Sequence, residues 1–125
     1  MKYFILCLSF FLCFNSHSQQ ANFEATGEAP NFMGFDLEGN YQEMQNYLDE
    51  GKIVIIELMS VTCGACQAYA PSVSDLYEQY GPNASNQIEI IALEINHYTD
   101  DNSCEEYMTE YNASYPLING KNENY

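Results

Sequence analysis

Apolar residues first gather at Phe32, Phe35 and Leu37, break at Glu38-Gly39-Asn40, and resume at Tyr41, the layout of a short strand or hairpin around a turn. Met44, Tyr47 and Leu48 then recur at helical spacing until Gly51, which predicts a brief amphipathic helix with a glycine stop. Ile53-Val54-Ile55-Ile56-Glu57-Leu58-Met59 is a β-branched run without alternation, the pattern of a strand buried on both faces of a parallel sheet, interrupted only by Glu57. Cys66, Tyr69, Ala70, Val73, Leu76, Tyr77 and Tyr80 form a helical stripe that Gly81-Pro82 ends. A second strand is expected from Ile88 to Ile95, centred on Ile90, Ile91, Ala92 and Leu93. Ser103 and Glu106 have capping-box spacing, and Cys104, Tyr107, Met108 and Tyr111 share one face of the helix that follows. Tyr115-Pro116-Leu117-Ile118 reads as extended and Asn119-Gly120 as a turn.

Alternation of strands and helices predicts an α/β fold with parallel strands joined by right-handed crossovers. Reactive groups in such sheets collect beyond the carboxyl ends of the strands. Cys63 follows the first buried strand and His97 the second, so both are expected on that edge.

The opening residues change the compartment. Met1-Lys2, an apolar run from Tyr3 to Phe14 and a polar, small-residue segment with Ser16 and Ser18 have the order of a secretory signal cut after Ser18. The run is short for a membrane span, and an uncleaved anchor is the competing reading. Residues 1–18 are therefore expected to be a signal peptide, 19–28 an extended leader and 29–125 one domain, with no stable membrane anchor after cleavage. Cys7 and Cys13 leave with the signal. The product is expected to be exported, periplasmic or extracellular.

Eighteen acidic residues against three Lys and no Arg give a formal charge of −15. That field repels nucleic acid and anionic lipid, so neither is an expected partner. Three cysteines remain after cleavage: Cys63, Cys66 and Cys104. A close pair plus one distant thiol is too sparse for a structural disulfide framework and suits redox chemistry in an oxidising compartment.

The pair Cys63-Gly64-Ala65-Cys66 stands between a buried strand and a helix start. Free N–H groups and the positive end of the helix dipole favour a thiolate at Cys63. Two intervening residues bring Cys66 one turn on, close enough to attack a mixed disulfide on Cys63. Gly64 permits close approach of a partner backbone. The rival reading is a soft-metal site, copper or zinc, in which His97 or Cys104 joins Cys63 and Cys66. Cys104 itself is either a resolving thiol or an inert core cysteine.

These residues resemble the thioredoxin superfamily, in its exported branch grouped with alkyl hydroperoxide reductase and thiol-specific antioxidant proteins. Ala29-Pro30-Asn31-Phe32 with Asp36-Leu37-Glu38-Gly39 is similar to the family's leading hairpin, Gly51-Lys52-Ile53-Val54 to its lead into the central strand, and Cys63-Gly64-Ala65-Cys66 to its redox motif. Pro71 matches the proline inside its active-site helix, and Tyr111 to Leu117 the segment before its later strands. The resemblance implies a three-layer thioredoxin-like fold with a mainly parallel central sheet, and dithiol-disulfide exchange with protein thiols or disulfides and an unidentified redox partner, without a cofactor. Antioxidant and redox-homeostasis roles come with it.

Three catalytic positions follow: Cys63 as nucleophile, Cys66 as resolving thiol, and Glu57, where thioredoxins often carry a buried acid beneath the second cysteine. Such an acid can accept and return the Cys66 proton; an edge-facing, solvated Glu57 is the plain alternative. Thr62 replaces the Trp of many relatives. Peroxidase chemistry, the sister activity, would require Thr and Pro where the chain has Ser60 and Ile56, and an Arg that it lacks. The resemblance also implies a helix and hairpin beyond Tyr115-Pro116-Leu117 with a cis proline facing the redox pair. No segment here corresponds to them, so the fold is expected to be incomplete at its C-terminus. The strand from Ile53 would then have an unpaired apolar edge, and the chain would be either a weakly folded, inactive fragment or one that pairs with itself.

Overall fold

A computed structural model describes residues 29–121. Residues 1–28, with the expected signal peptide and leader and with Cys7 and Cys13, lie outside the described residues. Strands β1 (Met33–Phe35) and β2 (Tyr41–Glu43) pair antiparallel across a turn, with Phe35 opposite Tyr41. Asp36 closes this turn: its carboxylate accepts from the amides of Glu38 and Asn40, and Gly39 takes the positive φ of +82° that the turn requires. Helix α1 (Met44–Asp49) follows at once and ends before Gly51, also at positive φ.

Strands β3 (Ile53–Met59), β4 (Ile88–Glu94) and β5 (Leu117–Asn119) form a parallel sheet in the order β3-β4-β5. Helix α2 (Gly64–Tyr80) links β3 to β4, and α3 (Asp101–Glu110) links β4 to β5. When right-handed crossovers advance steadily across a sheet, their helices fall on the same face. Accordingly Ala70 of α2 and Cys104 and Tyr107 of α3 share one buried cluster with Ile88, Ile90 and Ala92 of β4 and Leu117 of β5. On the opposite face Ile91 and Ile118 are also fully buried. A mostly parallel α/β domain is what the alternating pattern predicted.

Three local expectations need correction. Helix α3 is capped by Asp100, whose carboxylate accepts from the Ser103 amide at 2.9 Å, so the Ser103/Glu106 spacing does not mark the start. An anionic cap three residues earlier also meets the helix's positive end, and its own pKa is lowered chiefly by the Ser103 amide. On α2, Tyr69 and Leu76 of the apolar stripe face solvent, while Ser74 is buried because its hydroxyl donates to Asn112 and accepts from the Ser114 amide. That hydrogen-bonded serine ties α2 to the segment before β5. Finally, β3 is not buried on both faces: among the described residues it pairs only with β4, and Ile53 and Leu58 are 66% and 64% exposed. The unpaired apolar edge expected of this strand is thus present among the described residues.

A polar network lies at the amino end of the sheet. Lys52 Nζ stands 3.6 Å from Glu89 and 3.1 Å from Glu50, Tyr77 donates to Glu89 at 3.0 Å, and Gln42 joins Tyr47 to Asp36. A cavity of about 940 Å³ opens over these groups, and neither Cys63 nor Cys66 lines it.

Candidate active site

Past Met59 the chain leaves β3 through a tight turn in which the Cys63 amide donates to the Ser60 carbonyl at 2.9 Å. Cys63 keeps an extended backbone, with φ −83° and ψ 109°, and occupies the N-cap of α2. Its Sγ takes the place of the usual capping oxygen and accepts from the Cys66 amide at 3.3 Å. Gln67 reaches back to the Val61 carbonyl at 2.8 Å and closes the first turn against the loop. An added side chain at Gly64 would meet nothing within 4 Å, so the approach to the pair is open.

Hydrogen bonds from Cys66, first its thiol and then its amide, lower the pKa of Cys63, helped by the Ala65 amide. Each stabilises the thiolate more than the thiol. Burial pushes Cys66 the other way, and the adjoining Cys63 sulfur and the Glu57 charge add to the rise. Two thiols one helical turn apart are thereby made unequal, Cys63 lowered and Cys66 raised.

Glu57 lies within β3, ahead of the cysteine pair. It is half-buried, its Oε2 is fully enclosed, and no protein group closes a hydrogen bond on that oxygen. This lies between the two expectations, a buried acid and an edge-facing solvated one. Its charge adds to the raised pKa of Cys66, Tyr107 and Tyr115 and works against the lowering at Cys63. Tyr107 donates to the Cys66 carbonyl at 3.1 Å and joins α3 to the first turn of α2.

Glu94, at the end of β4, has no sequence signal as a site residue. Its side chain is wholly buried, yet both carboxylate oxygens are satisfied, by the amides of Val61 and Asn96 at 2.7 Å each. It therefore pins the loop two residues before Cys63 to the neighbouring strand.

The remaining candidates do not converge. Cys104 is fully buried in the core, and desolvation pushes its thiol up to about 12, with Glu94 adding to the rise. His97 is exposed in the turn after β4. Among the described residues no three His, Cys, Asp or Glu side chains are grouped so as to hold a metal, so the soft-metal set of Cys63, Cys66 and His97 does not assemble.

Comparison with known proteins gives a consistent picture. The chain is 29% identical over 100 residues to the thiol-disulfide oxidoreductase ResA of Bacillus cereus, covering 80% of this chain and 54% of that protein. It is 29% identical over 115 residues to ResA of Bacillus thuringiensis subsp. konkukian, covering 90% and 62%. It thus spans little more than half the length of these curated relatives. Among solved structures it superposes on the thioredoxin domain of a thiol-disulfide oxidoreductase from Bacteroides vulgatus with a TM-score of 0.61 at 17% identity, covering 74% of this chain and 61% of that one. A secreted disulfide oxidoreductase of Mycobacterium tuberculosis matches with a TM-score of 0.56 at 19% identity, covering 70% and 59%. At such identities the structural likeness establishes the fold, which is thioredoxin-like. The AhpC/TSA family matches residues 25–125, most of the sequence, and the chain belongs to that family.

Proposed function

We propose that this chain is a thiol-disulfide oxidoreductase for exported proteins, with Cys63 as the attacking thiol, Cys66 as the resolving thiol and Glu57 as the group that moves the Cys66 proton. The observation that carries this reading is the Cys63 sulfur capping α2 and accepting from the Cys66 amide at 3.3 Å. The names of the ResA relatives support the activity. The signal-like opening, together with the secreted mycobacterial structural relative, supports export. No described helix is long and apolar enough to cross a membrane.

In the reducing direction the Cys63 thiolate attacks one sulfur of a substrate disulfide. A Cys63–substrate bond forms, and the other substrate sulfur leaves as a thiolate and takes a proton from water. Cys66 then gives its proton to Glu57 and attacks the Cys63 sulfur. The mixed disulfide breaks, the second substrate thiolate leaves, and a Cys63–Cys66 disulfide remains. Two electrons have passed from the pair to the substrate, and the reverse sequence oxidises a substrate dithiol. A peroxidase role in the same family has less support, given Ser60, Ile56 and the absence of Arg.

Insulin reduction with dithiothreitol as electron source tests the assignment. The chain is expected to accelerate B-chain precipitation, Cys63→Ala to abolish the acceleration, and Cys66→Ala to accumulate a mixed disulfide. A native chain no faster than dithiothreitol alone contradicts it. Export is tested by fusing residues 1–28 to alkaline phosphatase, which becomes active only outside the bacterial cytoplasm; an inactive fusion contradicts it.

A further inference from the structure

Two enclosed polar atoms in the described residues lack a closed hydrogen bond from any protein group, Glu57 Oε2 and the Tyr115 hydroxyl, and the two side chains interact with each other. Buried polar groups are almost always paired, and exceptions concentrate where chemistry needs a group free to change partners. The sheet explains why these two meet. Glu57 stands opposite Ala92 on β4, and Ala92 opposite Leu117 on β5. The middle of that row is a methyl side chain, fully buried in the core. Tyr115, two residues before Leu117 and 1% exposed, packs into the same core as Ala92 and Tyr107.

Its hydroxyl lies beside both Glu57 and Tyr107. Tyr107 spends its own proton on the Cys66 carbonyl and offers only lone pairs to Tyr115. The Tyr115 proton therefore has two acceptors beside it, the Glu57 carboxylate and the Tyr107 oxygen. Burial and the nearby Glu57 charge keep that phenol protonated, so it serves as a donor and not as a base.

Resting on the exchange mechanism above, we propose that Tyr115 is a positioning residue for proton transfer from Cys66: its hydroxyl donates to the Glu57 carboxylate while Glu57 is ionised, and turns to Tyr107 once Glu57 has taken the proton. The Cys66 S–H bond breaks, the Glu57 O–H bond forms, and Tyr115 exchanges one acceptor for the other without losing its proton.

The test is the pH dependence of the resolving step, followed on a preformed mixed disulfide between Cys63 and a chromogenic thiol, in the native chain, Tyr115→Phe, Glu57→Gln and the double variant. A carboxylate without its donor holds a proton to higher pH, so Tyr115→Phe is expected to move the acidic limb of the profile upward. It leaves the rate of Cys63 attack unchanged. In the Glu57→Gln background the same change is expected to have no further effect. Superimposable profiles for the native chain and Tyr115→Phe, or additive effects in the double variant, overturn the proposal. If the native mixed disulfide does not resolve at all, the exchange mechanism itself has failed, a separable outcome. Should Tyr115→Phe not fold, the ¹³Cζ resonance of Tyr115 is followed with pH instead. It is expected to titrate in the native chain and to stay flat in Glu57→Gln, and a response identical in both overturns the proposal.

Discussion

Glu57 and Glu94 occupy neighbouring rows of one sheet face, Glu57 opposite Ala92 and Glu94 opposite Met59, and they are opposite in character. Glu94 is the more deeply buried and the better satisfied, with an amide on each oxygen. Glu57 is less buried, yet one of its oxygens is enclosed with no hydrogen bond closed on it. A buried carboxylate that has spent both oxygens on backbone amides is held in place and holds its loop in turn. One with a spare oxygen has lone pairs left for a proton. Depth of burial and hydrogen-bond satisfaction therefore rank the two acids differently.

Stability gives the largest contrast between the two. Glu94→Ala leaves the partly buried Val61 and Asn96 amides without their acceptor, and is expected to cost about 2–4 kcal/mol in urea denaturation and to loosen the loop before Cys63. Glu57→Gln removes an incompletely paired acid and is expected to leave stability within about 0.5 kcal/mol of native, or to raise it. Equal losses from the two variants would break the distinction. A separate effect concerns alkaline pH. Cys104, beside Glu94, is pushed up to about 12 when folded and ionises near about 8.5 when unfolded. A raised folded pKa contributes stability that is complete below the unfolded value and is lost as pH climbs toward the folded one. Melting temperature is thus expected to fall between those limits, and to fall less steeply in Cys104→Ala. Parallel slopes would show that Cys104 does not share the buried environment of Glu94.

Much of this was legible in the sequence because the physics was local. The apolar run from Ile53 to Met59, the cysteine pair immediately after it, and the face made by Cys104, Tyr107 and Met108 each show their role within one element. Across elements the sequence said less. Ser103 and Glu106 have capping spacing, but Asp100 offers a stronger acceptor three residues earlier. Tyr69 and Leu76 keep helical periodicity although the described residues leave both exposed. Glu94 and Tyr115 matter only because β4 and the segment before β5 bring them under a loop and an acid from elsewhere in the chain. No spacing rule records such meetings. The same holds for the exposure of Ile53 and Leu58, since a β-branched run shows affinity for burial but not whether a neighbouring strand covers it.

The account rests on the inequality of the two thiols at the start of α2. Its most direct test is the pH dependence of alkylation at each cysteine, followed by mass spectrometry in the folded chain and again in urea. The folded chain is expected to give a Cys63 midpoint below its value in urea and a Cys66 midpoint above it. Two folded midpoints that coincide with the unfolded ones would contradict it.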